Sequence, residues 1–290
     1  MKTITQAHPP MPLQTLVEGI KSFDERPLEE KIQFLSALVA VHVTLNVRWG
    51  PGSRYYRARS MSFSPGALNV EEVIWRKDAP ARSGRANPDG FPVLYLANRS
   101  ETCYREIGID IGDVALAEFT VRQDKSCHVA PIGEFASIYA SGRGRLIGDQ
   151  AKLLYSFLNA CDIQDIRSLV ITDSFLQRVM AIDEAPYSLS SHIARSIFEK
   201  VPAVRCIAFE STKLSGSINF AVRIEDFWET WGLTSVSALQ VVHLAEGVYS
   251  TPARRDVAQV DQDGAFRWAP QHHDPNICRR FTEWVPPRFR

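Results

Sequence analysis

The spacing of apolar residues changes along the chain, and this change predicts the order of the structural elements. Near the N-terminus the spacing is helical and predicts two helices, over 13–23 and 27–46; in the second, the apolar positions are Leu28, Ile32, Leu35, Leu38 and Val39. Pro27 suits the first turn of that helix, and Glu29 and Glu30 follow where the helix dipole favours acidic side chains. One face of this helix is therefore expected to be buried.

From Ser53 onwards the pattern becomes short apolar runs separated by turn-forming residues. These runs predict helices over 101–107, 147–161 and 188–200, and strands over 53–60, 92–97, 114–121, 204–209, 218–224 and 238–244. Regular alternation of strand, helix and strand is missing. We therefore predict an α+β fold with a mixed or mainly antiparallel sheet.

Turn-forming residues also suggest where the chain divides. The break at Trp49-Gly50-Pro51-Gly52 separates an N-terminal helical extension, residues 1–50, from a main domain at 51–226. Residues 227–290 contain many prolines and aromatic residues and only one strand-like run. They are predicted to form a loop-rich C-terminal extension packed on the core.

Composition narrows the classes of function. The chain has 33 basic and 33 acidic residues, so no charge excess favours direct contact with nucleic acid or an anionic membrane. It also lacks the run of about 18 apolar residues that a membrane helix needs. The N-terminus lacks the apolar segment of a secretory signal. These features predict a cytoplasmic protein with no membrane partner.

No metal site is expected. The five cysteines are widely spread, and no two form a C-x-x-C pair, so neither a disulfide framework nor a zinc site is indicated. His272, His273, Asp274 and Cys278 carry ligand atoms, but in a proline-rich tail they are interpreted as solvated side chains.

Candidate chemistry is concentrated in residues 84–106, GRANPDGFPVLYLANRSETCYRE. Arg85 lies in a turn, Tyr95 in the following short strand, and Glu106 at the end of a helix that Ser100 would cap. These three side chains can converge at one end of a cleft. For such a trio taken alone, a surface arginine, a core tyrosine and a solvated glutamate are the more common roles.

The same segment resembles the signature of the RES-domain family: a Gly-Arg-Trp-Asn-Pro-x-Gly turn, a Leu-Tyr-Leu-Ala strand and a helix containing Glu-Thr. Tyr56-Arg57-Ala58-Arg59 resembles the opening strand of the family, and 187–192, 206–211 and 217–221 resemble its closing section. The resemblance covers about 53–224. It departs at Ala86, where many members have tryptophan, and in the extensions at both ends.

This resemblance implies a fold like that of ADP-ribosylating toxins, with NAD⁺ bound in a cleft as the substrate. Glu106 would stabilise the cationic ribose centre, and Arg57 and Arg85 would bind the pyrophosphate. Tyr95 would contact the nicotinamide-ribose end. The resemblance also gives NAD⁺-binding positions to Ser211, whose hydroxyl could contact phosphate or ribose, and to Asn219. Arg59, on the same side of the strand as Arg57, is a weaker candidate.

The activity implied is cleavage of the nicotinamide–ribose bond by hydrolysis or phosphorolysis, as in toxins of toxin–antitoxin pairs. Two alternatives stay open: an ADP-ribosyltransferase with a protein target, and a catalytically silent RES-like binding module. Besides NAD⁺, the partners considered are a cognate antitoxin protein and a second copy of the chain in a homodimer.

Overall fold

The computed structural model describes residues 2–64, 66–75, 83–270 and 277–289. The helices in these residues are α1 Ile4–Ala7, α2 Leu13–Lys21, α3 Leu28–Val41, α4 Ser100–Glu106, α5 Glu134–Ser141, α6 Ala151–Asn159, α7 Ile163–Ile182, α8 Ser188–Lys200 and α9 Phe227–Thr230. Short 3-10 turns lie at Val70–Glu72, Gly148–Gln150 and Pro287–Phe289. Within this part of the chain, no helix is long and apolar enough to span a membrane.

The strands are β1 Val47–Trp49, β2 Tyr55–Ser60, β3 Val93–Ala97, β4 Ile111–Val121, β5 Cys127–Pro131, β6 Cys206–Glu210, β7 Ile218–Arg223, β8 Trp231–Ala245, β9 Val248–Val260 and β10 Phe266–Trp268. The protein is therefore a mixed α+β structure, which confirms the predicted class. Residue contacts divide it into two units: one contains Met1–Val47, Arg82–Phe91 and His128–Phe209, and the other Arg48–Ala81, Pro92–Cys127 and Glu210–Arg290.

The first unit is mostly helical. Its helix α3 packs against α8, and α2 and α5 pack against α7. The Phe23, Phe34 and Phe175 rings meet between these helices, with centroids 5.0 Å apart for Phe23 and Phe175. Strands β5 and β6 of this unit pair in parallel. The predicted burial of α3 is confirmed at Leu35, Leu38 and Val39, whereas Leu28 is half exposed.

The second unit is built on antiparallel strands in the order β7-β3-β2-β4-β8-β9-β10. Helix α4 covers one face of the central strands, where Cys103 and Tyr104 pack on Ala58, Leu116 and Leu239. Strands β8 and β9 form a long hairpin from residues that were predicted to be largely loop. The C-terminal segment therefore continues the sheet.

Candidate functional site

Glu106 lies at the end of α4, beside β7 in the second unit. Thr102 and Cys103, four and three residues before it, are buried, so this side of the helix faces the sheet. Glu106 itself is exposed. A short helix that follows β3 directly thus presents a carboxylate at the surface while its preceding turn is fixed in the core.

Two buried side chains hold one oxygen of the Glu106 carboxylate. The Ser211 hydroxyl donates to Oε1 at 2.8 Å, and the Asn219 amide nitrogen donates to the same atom at 2.6 Å. Ser211 is 5% exposed and Asn219 is 9% exposed. Oε2 accepts no hydrogen bond from the described residues, so it is the oxygen that remains available to a ligand.

The local structure explains why both donors point at Glu106. Ser211 follows β6 in a turn where its Oγ accepts hydrogen bonds from the Lys213 and Leu214 amides, at 3.1 and 3.3 Å. Its hydroxyl proton is therefore free to point at the carboxylate. Asn219 lies in β7 opposite Ala97 of β3, the strand that leads into α4. The site is thus formed where β3, α4 and β7 meet.

Arg57 supplies a cation from β2, and burial disfavours its charge. Its Nη1 donates to the Tyr95 carbonyl oxygen at 3.2 Å, whereas Nε is buried with no partner among the described residues. Burial, followed by repulsion from Arg59, lowers the pKa of Arg57 from 12.5 to about 10. Arg57 is therefore charged at neutral pH, and the described residues provide it with no carboxylate partner.

Cys103 lies in α4, the helix that carries Glu106, and packs against β2, the strand that carries Arg57. Its thiol donates to the Tyr56 carbonyl oxygen at 3.1 Å, next to Arg57 in β2, and it lies one turn before Glu106 in α4. Burial raises the pKa of this thiol to about 12; the charge of Arg57 acts in the opposite direction, and that of Glu106 reinforces the rise. The thiol is therefore protonated and unreactive at neutral pH, and it serves as packing between the two charged groups.

Tyr95 is half-buried in β3, opposite Ala221 of β7. By strand alternation its side chain lies on the same face as Ala97, which pairs with Asn219. Its backbone carbonyl accepts from Arg57. The second unit therefore contains five of the six predicted site residues, and their hydrogen bonds join them as two groups: Ser211 and Asn219 with Glu106, and Arg57 with the Tyr95 backbone.

Arg85, the sixth, belongs to the first unit. Its Nη1 donates to the carbonyl oxygens of Ala181 at 3.0 Å and Asp183 at 2.9 Å, and also to that of Met180. Its guanidinium carbon lies 5.2 Å from the centre of the Tyr187 ring. These carbonyls form the C-terminal end of α7, so Arg85 caps that helix. A role for Arg85 in binding NAD⁺ remains a prediction.

The capping of α7 gives a testable consequence. We expect Arg85→Ala to lower the free energy of unfolding by about 1–3 kcal/mol, because it removes a charged donor from helix-end carbonyls. Denaturant unfolding measures this change. Arg167→Ala, at an exposed position on the same helix, is the matched control and should change stability little. Equal stability of the two variants would show that the cap contributes nothing.

No group of three His, Cys, Asp or Glu side chains suited to a metal occurs in the described residues. His272, His273 and Asp274, considered above as ligand-bearing residues, lie outside the described residues. Comparison of the chain with protein-family models, with curated proteins and with solved structures finds no match. Any assignment of function therefore depends on the chemistry of the site and on the sequence resemblance.

Proposed function

We propose that this protein binds NAD⁺ and cleaves its nicotinamide–ribose bond at the site formed by Arg57, Tyr95, Glu106, Ser211 and Asn219. The observation that carries the proposal is the orientation of Glu106. One carboxylate oxygen is held by two buried donors, and the other is open to a ligand. A preorganised, solvent-accessible carboxylate of this kind can stabilise positive charge as it develops.

The chemistry requires such a carboxylate. Breaking the bond between ribose C1′ and the nicotinamide nitrogen leaves the electron pair on nicotinamide and positive charge on the ribose, as in glycoside cleavage. Glu106 Oε2 would lie beside that centre and orient the acceptor, whose oxygen bonds to C1′ as its proton is lost. Tyr95 would pack against the nicotinamide-ribose end of the substrate.

Arg57 suits the anionic part of the substrate. A partly buried guanidinium with no carboxylate partner among the described residues favours an anion as its partner. The pyrophosphate of NAD⁺ supplies that charge. We further propose that the strands and helix around this site form an ADP-ribosyltransferase-like core. The RES-domain resemblance over 53–224 supports this assignment.

The test is the release of nicotinamide from NAD⁺ by the purified full-length chain, with and without inorganic phosphate, with products identified by mass. ADP-ribose indicates water as the acceptor, and a phosphorylated ADP-ribose indicates phosphate. An ADP-ribosyl adduct on added protein indicates a transferase. Intact NAD⁺ under all these conditions would refute the proposed function. The alternative of a catalytically silent RES-like binding module would then stand.

The hydrogen bonds of Ser211 and Asn219 to Glu106 predict whether replacing these two residues changes kcat or KM. Because both donate to Glu106, Ser211→Ala and Asn219→Ala should each lower kcat about ten-fold and change KM little. Ser215→Ala, in the same loop but exposed, is the control. A raised KM with unchanged kcat would instead support direct contact of these residues with phosphate or ribose. Thermal unfolding of each variant separates this effect from misfolding.

A further inference from the structure

A polar cavity separate from the Glu106 site lies in the same unit, on the face of the sheet covered by α4. It has a volume of about 260 Å³, and its lining includes Tyr56, Leu116, Ser237, Leu239 and Thr251 from four neighbouring strands. Helix α4 and the C-terminal segment complete its wall. None of the residues assigned to NAD⁺ chemistry lines it, so this cavity has no role in the proposed reaction.

Two ion pairs, each with a buried carboxylate, hold the walls of the cavity in place. Arg280 makes a two-point contact with Glu118, at 2.8 and 3.0 Å, and Glu118 is 4% exposed. Arg254 donates to Asp256 at 2.8 Å and to Ser237 at 2.7 Å, and Asp256 is fully buried. Burying the two carboxylates costs desolvation energy, which these charged hydrogen bonds offset. The result is a rigid, preorganised polar surface.

The charges on the lining balance. Glu101 and Glu118 provide two carboxylates, and Arg254 and Arg280 provide two guanidiniums. Behind this surface, Asp256 pairs with Arg254, and Arg54 lies 3.8 Å from Glu118. A ligand with net charge would therefore be repelled by the lining groups of its own sign as strongly as the others attract it. An uncharged ligand with many hydroxyl groups meets donors and acceptors in equal measure.

The apolar surface in the cavity is partly aromatic and partly aliphatic. The Tyr104 and Tyr249 rings meet with centroids 5.1 Å apart, and Leu116 and Leu239 lie on the sheet beside them. Serine, threonine and tyrosine hydroxyls surround these faces. Aromatic rings pack well against the C–H groups of a sugar-like ring, and the surrounding polar groups can hydrogen-bond to its hydroxyls.

We propose that this cavity binds an uncharged, polyhydroxylated small molecule of about monosaccharide size. Its volume accommodates roughly a dozen heavy atoms, below the size of ordinary drug-like pockets. So small a ligand makes few contacts, and binding in the millimolar range is expected.

The experiment is calorimetric titration of the full-length chain with D-ribose, D-glucose and myo-inositol, and with inorganic phosphate and L-glutamate as charged probes. Thr251→Trp should fill the cavity and weaken binding of the neutral probe at least about ten-fold, because Thr251 lines the cavity and takes no part in its ion pairs. Thr251→Ser, which keeps the hydroxyl, should bind like the wild type. NAD⁺ consumption should be unchanged in both variants.

A second measurement uses the unmodified chain and does not depend on folding of a variant. Cys278 lines the cavity, so the bound neutral probe should slow its alkylation, while alkylation of Cys161 should be unaffected. Absence of binding by all three neutral compounds, preferential binding of phosphate or glutamate, or equal binding by Thr251→Trp would each overturn the proposal.

Discussion

Glu106→Gln should abolish most of the NAD⁺ turnover while leaving the fold and NAD⁺ binding intact. The amide keeps the size of the side chain and an oxygen that Ser211 and Asn219 can donate to. It removes the negative charge that would face the cationic ribose centre. The expected fall in kcat is about 100- to 1000-fold, the usual scale for losing one preorganised electrostatic partner. Initial rates of nicotinamide release measure it.

Asp110→Asn is the matched control for this substitution. Asp110 follows α4 closely and its side chain is 76% exposed, paired only loosely with Arg105 and His243 at 3.8 and 3.6 Å. Losing this carboxylate should leave the rate nearly unchanged. A Glu106→Gln protein that turned over NAD⁺ as fast as the Asp110→Asn protein would remove Glu106 from the mechanism.

Arg57→Met should make the protein more stable and a weaker binder of NAD⁺. The pKa of Arg57 falls on folding from 12.5 to about 10, so at neutral pH the charged form is penalised in the folded state. Methionine removes that penalty and the hydrogen bond to Tyr95, for a net gain on the order of 1–2 kcal/mol. The gain should shrink as the pH rises above about 10, where the penalty on the wild type is relieved.

Binding should change in the opposite direction. Loss of a charge-assisted contact to pyrophosphate should weaken the NAD⁺ affinity of Arg57→Met by about 10- to 100-fold. Arg54→Met is the control, because Arg54 is 53% exposed and lies in the same segment. A destabilised Arg57→Met protein with unchanged affinity would show that Arg57 is a structural residue. Calorimetry with NAD⁺ and denaturant unfolding supply the two values.

The sequence predicted the elements that position the site with good accuracy. Strand β3 and helix α4 lie close to the predicted 92–97 and 101–107, because a short apolar strand followed by a helix is a local pattern. The predicted cap is wrong: the helix begins at Ser100, Arg99 holds the N-cap position, and the Ser100 hydroxyl donates to Glu101 instead. Helix α7 was missed, although Asp162 caps its start by accepting from the Gln164 amide at 2.8 Å. An aspartate before a partly apolar stretch was the indication available there.

Strand β9 was missed for a different reason. It carries Asp256 at a buried position, the partly buried Arg254 and Pro252, so its apolar alternation is hidden. Besides Arg254 in the same strand, the buried Asp256 carboxylate accepts from partners distant in sequence, Ser237 and the Arg279 amide. Patterns of single residues cannot reveal such pairings. The same limit applies to the donation of Ser211 and Asn219 to Glu106, which joins residues more than 100 positions apart.

The most direct test of the account is a crystal structure of Glu106→Gln with NAD⁺. The substitution should slow cleavage enough for the intact substrate to be seen. We expect the pyrophosphate within hydrogen-bond distance of the Arg57 guanidinium, and ribose C1′ beside the side chain of residue 106 on the edge that Ser211 and Asn219 leave open. NAD⁺ bound away from these residues, or no NAD⁺ at concentrations that the wild-type chain consumes, would contradict the account.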